Sequence, residues 1–201
     1  MSPRRLTIVA AALALVLAVS GCATSSYDTA HQRKGGPLAG HEVADANNDG
    51  AYVSAGALTY QLEISRELNQ YGVEDSQYIH GLPAGTTPPN GLQLWYGVFL
   101  WAKNQRHAPH TTSDNFEIVD TQGDVYKPLK LNKADNPFAW TSLTLQPQET
   151  EPGENTVAGD TFTQGGLLLF KLPTTIYDNR PLTLFILSPS NKKIGEISLD
   201  L

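Results

Sequence analysis

The chain is poor in sulfur: its 201 residues include one cysteine, Cys22, and one methionine, Met1. A single cysteine cannot form a disulfide within the chain, so a folded domain must depend on its hydrophobic core for stability. Blue-copper centres need a cysteine thiolate, and structural zinc sites usually use several cysteines. The composition therefore argues against cysteine-based metal centres, thiol oxidoreductases and cysteine hydrolases, and we expect no cofactor.

Positive charge is also scarce, because 14 lysines and arginines face 20 aspartates and glutamates, for a formal net charge of −6. Phosphate backbones repel an acidic chain, so nucleic-acid binding is not an expected function. The chain also lacks the Lys and Arg clusters that hold a protein on anionic lipid. Attachment to a membrane would need another source.

The N-terminal residues offer that source. Arg4 and Arg5 precede an apolar run over residues 6–19, which is the pattern of an export signal. The run is shorter than the roughly 20 residues that a membrane-spanning helix needs. The block Val19-Ser20-Gly21-Cys22 resembles the lipobox of bacterial lipoproteins. The resemblance implies diacylglycerol and acyl chains such as palmitate on Cys22, and a protein anchored at the cell membrane, facing outside the cytoplasm.

Composition divides the chain into three segments. Residues 1–21 form the predicted lipoprotein signal peptide. Residues 22–54 are rich in Ser, Gly, Asn, Asp and Ala and contain few large apolar side chains, which is typical of a flexible tether. The folded domain is therefore expected over residues 55–201, a length sufficient to bury a core.

Apolar residues of this domain recur at every second position. Leu58, Tyr60, Leu62 and Ile64 alternate with polar residues, which predicts a strand with one buried face. Residues 92–103 are apolar on both faces and predict a central strand. No long stretch has the period of an amphipathic helix, so about seven to nine strands predict an all-β, immunoglobulin-like antiparallel β-sandwich. The other strands are expected at 116–119 and 125–131, joined as a hairpin, and near 140–145, 167–172, 182–187 and 194–201.

The segment from Leu94 to Pro173 resembles the telokin-like, immunoglobulin-fold domain of bacterial surface lipoproteins. That domain has a strand ending in Asn, a hairpin of the form Phe-x-Ile-x-Asp-x-x-Gly-x-x-Tyr, and a later Gly before an apolar strand ending in Pro. Three more blocks, Tyr60–Asn69, Asp135–Phe138 and Asn179–Leu182, are similar to a group of uncharacterised exported actinobacterial proteins. The resemblance implies an immunoglobulin fold at the cell surface. The residues that match the domain pattern are Asn104, Phe116, Ile118, Asp120, Gly123, Tyr126, Gly166, Phe170 and Pro173.

The second apolar face of the central strand is the main candidate for binding. A sandwich strand has one face in the core, so Trp95, Phe99 and Trp101 need another cover. One interpretation is a lid formed within the chain by residues 68–89, and the alternative is an exposed patch that binds a partner. If the lid is partial, the aromatic residues left open are the expected contact site. The lid would contribute Tyr71, Tyr78, Ile79 and Leu82.

Two patterns suggest metal ligands but are incomplete. Residues 45–50 copy the first half of an EF-hand loop, yet the position that needs a bidentate glutamate is Gly56, so a solvated turn is expected. His107 and His110, with His80 and Asp114 as candidate neighbours, could share a metal ion. Pro109 places the pair in a loop, which favours solvent-exposed histidines, and we predict no metal site.

Two arginines could bind a carboxylate. Arg66 projects from an otherwise apolar strand, and Arg180 precedes Pro181 at the start of another. A guanidinium can pair with a carboxylate of the same chain and fix a loop through several donors. A structural role is expected for both, and recognition of a ligand carboxylate is the alternative.

The chain contains no nucleophile elbow, no H-E-x-x-H motif and no S-x-x-K element with its partners, so we do not expect an enzyme. The expected function is a non-catalytic binding or accessory module of the cell envelope, with an envelope protein as a candidate partner. Two alternatives remain open. A metal-dependent or hydrolytic enzyme would show a pocket where His, Ser and carboxylate side chains converge, and a purely structural envelope protein would show neither pocket nor open aromatic surface.

Overall fold

The computed structural model describes residues 44–47, 52–160 and 165–199, so the predicted signal peptide and Cys22 lie outside the described residues. The described part contains twelve strands, one α-helical turn, α1 (Val73–Ser76), and two 3₁₀ turns. In these ranges no helix combines the length and apolar character needed to cross a membrane. The strands are β1 (Ala44–Asn47), β2 (Tyr52–Ala55), β3 (Leu58–Leu68), β4 (Gln93–Lys103), β5 (His110–Thr111), β6 (Phe116–Val119), β7 (Val125–Tyr126), β8 (Thr144–Leu145), β9 (Thr150–Glu151), β10 (Gly166–Pro173), β11 (Leu182–Leu187) and β12 (Lys193–Leu199).

Two sheets form the sandwich. The first sheet has the order β1-β12-β11-β6-β7, and the second has the order β10-β4-β3-β2 with β9 paired to the end of β4. Neighbouring strands are antiparallel except β1 and β12, which are parallel. The short strands β5 and β8 pair with each other. The predicted all-β, immunoglobulin-like antiparallel sandwich is therefore confirmed.

The main core lies between the inner faces of the two sheets. The second sheet contributes Tyr60 and Leu62 of β3 with Val98 and Leu100 of β4, and all four are buried. Burial of apolar surface in this layer supplies most of the favourable free energy of folding. The first sheet contributes Phe116, Ile118, Leu182, Leu184, Ile186, Ile197 and Leu199.

A β-bulge divides β3 between two hydrophobic layers. The register with β4 shifts between Leu62 and Ile64, so Leu62 lies opposite Leu100 whereas Ile64 lies opposite Phe99. An extra residue in one strand moves all later side chains to the other face. Ile64 was predicted to share the buried face of Leu62, but it packs on the opposite side of the sheet.

The folded domain begins before residue 55, so this predicted boundary was wrong. β1 pairs with β12, and β2 pairs with β3, although both strands belong to the predicted tether of residues 22–54. Val53 is buried in the core while Tyr52 is exposed. Two edge strands of four residues need few large apolar side chains, which is why composition placed them in the tether.

The hairpin of β6 and β7 contains the motif that carries the resemblance to surface lipoproteins. Asp120 accepts hydrogen bonds from the backbone N–H groups of Gln122 (2.9 Å) and Asp124 (3.0 Å), and Gly123 has a φ of +89°. Tyr126 and Asn179 also donate to its carboxylate, each at 3.2 Å. Burial alone would raise the pKa of Asp120, but these hydrogen bonds lower it. The motif therefore specifies a turn.

The strand predicted over 125–131 ends at Tyr126, and the chain then leaves the first sheet. Pro128 has no N–H group to continue a ladder. Leu129 instead forms a bridge with Leu169 of β10, on the second sheet. Residues after Pro128 thereby cover a face that the two-layer architecture alone would leave exposed.

Candidate functional site

The outer face of the second sheet is covered where Trp95 and Phe99 emerge from β4. Their side chains are 2% and 0% exposed. Tyr78 packs edge-on against Phe99, with ring centroids 5.0 Å apart, and also contacts Phe138 at 4.8 Å. Trp95 and Phe99 were predicted as part of a contact surface, and their burial in a second hydrophobic layer removes them from it. We call this region the covered end.

Two segments make the lid over the covered end. Residues 68–89 supply Tyr78, Ile79 and Leu82, as the lid interpretation predicts, but Tyr71 is 86% exposed and contributes nothing. Residues 129–139 supply the second segment, which sequence reasoning missed, and the buried Ala158 also packs in this layer. The second segment contributes Leu129, Leu131 and Phe138.

Asn136 joins the two segments of the lid. Its buried side-chain amide donates to the carbonyl oxygens of Tyr78 (2.9 Å) and His80 (3.1 Å) and accepts from the N–H of Phe138 (3.0 Å). The Tyr78 carbonyl and the Phe138 N–H would otherwise be buried without these partners, which costs free energy. The Asp135–Phe138 block that carries part of the resemblance is therefore a structural element of the lid.

Arg66 also fixes the lid, which confirms its expected structural role. Its guanidinium lies 2.6 Å from the carboxylate of Asp75, which also accepts from the N–H of Asn69 at 2.9 Å. Burial alone would raise the pKa of Asp75, but these hydrogen bonds and the charge of Arg66 lower it. Arg180 donates to the carbonyl oxygen of Tyr177 at 2.8 Å, which is likewise a contact within the chain.

The same face of the second sheet is open beyond the lid. Tyr52 lies opposite Gln61, and Gln61 lies opposite Trp101, so the three side chains form one row across β2, β3 and β4. Tyr52 is 67% exposed and Trp101 is half-buried. We call this region the open end. Its shallow hollow of about 240 Å³ is lined by Tyr52, Thr59, Gln61, Trp101, Ala102, Lys103, Gln105 and Thr150.

Polar groups surround the two rings of the open end. A second row, next to the first, places Thr59 opposite Lys103 and Lys103 opposite Thr150. The amide of Gln61 donates to the carboxylate of Glu63 at 3.3 Å. Within the part of the chain that the structure describes, neither the indole N–H of Trp101 nor the ammonium group of Lys103 has a hydrogen-bond or ion-pair partner. Lys103 is exposed, so its ammonium group is accessible to a ligand.

Gly165 leaves the space that the indole of Trp101 occupies. This glycine has a φ of +100°, a left-handed conformation that other residues rarely adopt. A Cβ atom at this position would lie 2.7 Å from the carbonyl oxygen of Leu100 and 2.8 Å from the indole nitrogen of Trp101. A larger residue at position 165 would therefore displace the ring of Trp101.

A buried carboxyl group lies behind the open end. Glu151 is opposite Ala102, is 4% exposed, and accepts from the hydroxyl of Thr112 (2.7 Å) and the N–H of Thr141 (3.3 Å). Burial raises its pKa to about 7, although these hydrogen bonds and the charge of Lys133 act in the opposite direction. Sequence reasoning missed Glu151, because a single glutamate in a polar segment gives no signal of burial.

A second concavity lies between the edges of the two sheets. This cleft of about 430 Å³ has Phe116, Trp140 and Leu168 among its apolar lining, with Lys127 and Lys130 among its polar lining. The indole N–H of Trp140 donates to the carbonyl oxygen of Ser113 at 2.8 Å. A Cβ at Gly166 would lie 2.7 Å from the ring of Trp140, so this glycine makes room for it.

The histidines and acidic residues that suggested metal binding are dispersed. His80 and His107 are exposed, and His110 lies in β5 opposite Leu145. In the described ranges, no three His, Cys, Asp or Glu side chains are placed to share a metal ion. Ala44–Asn47 form a strand where a solvated turn was expected, and the following residues 48–50 lie outside the described residues.

Comparisons with known proteins give likenesses only to solved structures. No protein-family model matches the chain, and a search of curated proteins finds no match. The crystal structure of the yjhA protein from Bacillus subtilis is similar over 77% of this chain and 99% of that chain, at 9% identity and a TM-score of 0.45. An uncharacterised β-sandwich protein from Clostridium difficile 630 is similar over 80% of this chain and 96% of that chain, at 11% identity and a TM-score of 0.40.

Proposed function

We propose that this chain is a surface lipoprotein, anchored to the outer face of the cell membrane by acyl chains on Cys22. Its β-sandwich serves as a non-catalytic binding module of the cell envelope, with the open end as the contact surface. The lipobox-like block that ends at Cys22 and the resemblance to telokin-like lipoproteins and to exported actinobacterial proteins support the location.

The observation that carries the proposed binding role is the partial lid. Trp95 and Phe99 are covered, whereas the half-buried Trp101 lies beyond the lid, in the same row as the exposed Tyr52. The lid covers the apolar side chains at one end of this face and leaves Trp101 half-buried and Tyr52 exposed at the other end. Aromatic side chains are the residues on which binding surfaces most often depend.

The surroundings of the buried polar groups favour binding over catalysis. Thr112 donates to Glu151, and the hydroxyl of Ser142 donates to the carbonyl oxygen of Thr112 at 2.6 Å. These contacts join the loops and strands behind the open end. Hydrolysis by a serine nucleophile needs a base within hydrogen-bond reach of the hydroxyl, and here the hydroxyl of Ser142 donates to a carbonyl instead.

Anchoring is tested with Cys22→Ala. We expect wild-type cells to incorporate labelled palmitate into the protein, and the variant to incorporate none and to leave the membrane fraction with its fold unchanged. Ser25→Ala, just outside the lipobox-like block, is the control and should behave as wild type. An unlabelled wild-type protein, or a variant that stays firmly in the membrane fraction, would contradict the anchor.

Binding is tested by a photoreactive phenylalanine analogue placed at Tyr52 in living cells. We expect irradiation to give an adduct with an envelope component, either protein or glycan, and Trp101→Ala to remove that adduct. The same analogue at Tyr71 is the control. Tyr71 is exposed and follows the end of β3, whereas the open end lies at the beginning of that strand. Equal adducts at both positions, or none at Tyr52, would contradict the proposed contact surface.

A further inference from the structure

We propose that the open end binds a β-1,4-linked glycan, laid across β2, β3 and β4 along the row Tyr52, Gln61 and Trp101. This inference rests on the proposed function, because it names the ligand class of the same surface. The row is set by backbone register, since each of the three residues lies directly opposite the next.

The separation of the strands that carry the two rings fits such a glycan. Tyr52 and Trp101 are two strands apart, which corresponds to about 10 Å at the usual separation between strands. In a β-1,4-linked chain successive sugars are turned over, so every second sugar presents the same face, and the disaccharide repeat has a similar length. Two rings at this separation can therefore stack on two equivalent sugar faces of one extended chain.

The chemistry of the row also matches a sugar polymer. The C–H-rich face of a pyranose is slightly positive, and the face of an aromatic ring is negative, so the two attract each other. Gln61 lies between the rings and offers both a donor and an acceptor to sugar hydroxyl groups. The hydroxyls of Thr59 and Thr150 lie beside the row and donate within the chain, to Gln105 at 3.5 Å and to Pro152 at 3.3 Å, so each oxygen can still accept a hydrogen bond from a sugar hydroxyl.

Charge distinguishes a glycan from other ligands. The net charge of −6 disfavours a polyanion such as a nucleic acid. Lys103 is exposed and, among the described residues, lacks an ion pair, so it can meet an isolated acidic substituent of a glycan. A protein partner would favour an apolar centre, whereas polar side chains lie between the two rings of the open end.

The test uses the full chain purified in detergent micelles, with chitohexaose as a soluble β-1,4-linked probe and calorimetry as the measurement. We expect binding of chitohexaose and none of maltohexaose, whose α-1,4-linked chain curls and does not repeat the same face. Tyr52→Ala and Trp101→Ala should each weaken binding by about tenfold or more. Tyr71→Ala is the matched control and should bind as wild type.

Tyr52 is exposed, so its variant keeps the inference falsifiable even if Trp101→Ala disturbs folding. Absence of chitohexaose binding, equal binding of maltohexaose, or full binding by Tyr52→Ala would overturn the inference. Photo-crosslinking from position 52 separates this failure from that of the proposed function. An adduct that contains only protein rejects the glycan but keeps the binding module, and no adduct rejects both.

Discussion

The covered end and the open end lie on the same face of the second sheet but differ in their exposure to solvent. Trp95 and Phe99 of β4 are buried under the lid, and Trp101, further along the same strand, is half-buried in the row that includes the exposed Tyr52. The alternation of β4 is the same at both ends, so strand pattern does not decide exposure. What decides it is whether another segment, here residues 129–139 with part of 68–89, packs over the strand.

The two ends also differ in the polar groups that lie next to them. The lid is tied to the sheet and to itself by Asn136 and by the ion pair of Arg66 with Asp75. The open end has the buried carboxyl of Glu151 on its inner side. Each of these features gives a way to change one end while leaving the other as a reference.

Phe99→Ala should produce the largest change, because it empties the centre of the covered end. We expect the free energy of unfolding to fall by about 3–5 kcal/mol, the usual loss for a fully buried phenylalanine. Urea denaturation followed by circular dichroism measures it. Tyr52→Ala, at the open end, is the matched control and should change stability by about 0.5 kcal/mol or less. A loss below about 1 kcal/mol for Phe99→Ala would refute the packed lid.

Glu151 should make stability depend on pH. Its pKa is about 7 in the folded chain, against 4.5 for a solvated glutamate as in the unfolded chain, so the folded state holds the proton more tightly. The stabilisation is therefore complete below pH 4.5 and is lost as the pH rises through 7, by about 3 kcal/mol in total. Unfolding measured between pH 5 and pH 8 should show this fall.

Glu151→Gln should remove most of the fall in the free energy of unfolding between pH 5 and pH 8, because the amide cannot ionise. Glu149→Gln changes an exposed residue of the same segment and should keep the wild-type slope. If Glu151→Gln retains that slope, another group is responsible for it. Lys133 is the charged group that stabilises the ionised form of Glu151, so Lys133→Met should steepen the decline.

Asn136→Ala should loosen the lid. Loss of the buried amide leaves the carbonyl oxygens of Tyr78 and His80 without their donor, and we expect a loss of about 2 kcal/mol. Hydrogen exchange should accelerate most in residues 76–82. The exposed Asn132 of the same segment provides the control variant Asn132→Ala. Uniform acceleration over β3 and the lid would show instead that the lid does not open separately from the sandwich.

Arg66→Ala should have the smallest effect. Its pair with Asp75 is partly exposed, so we expect a loss of about 0.5–1 kcal/mol. Because the pKa of Asp75 is lowered in the folded chain, the stabilisation is present above 3.8, the ordinary pKa of an aspartate, and is lost as the pH falls through the pKa of the folded state. Double-mutant cycles with Asp75→Ala at low and high salt measure the coupling. A coupling energy of zero at low salt would contradict the pair.

Period-two alternation was sufficient to predict the sandwich, because each strand must sort its side chains between core and exterior. It also identified the face of Trp95, Phe99 and Trp101 as needing a cover. It could not show how far the cover extends, since that depends on contacts between distant segments. The second lid segment was missed because Leu129 and Leu131 were assigned to the hairpin strand predicted over 125–131, whereas the chain leaves the first sheet after Tyr126. Tyr52 was missed because its neighbours have the composition of a linker.

The bulge at Glu63 lets one strand belong to two hydrophobic layers. Leu62 packs in the core between the two sheets, whereas Ile64 and Leu68 pack in the layer beneath the lid. Substitutions after the bulge can therefore accompany changes in the lid without disturbing the packing before it. Because of this single inserted residue, the lid can change in length during evolution while the core of the sandwich stays the same. The size of the exposed aromatic surface would change with the lid.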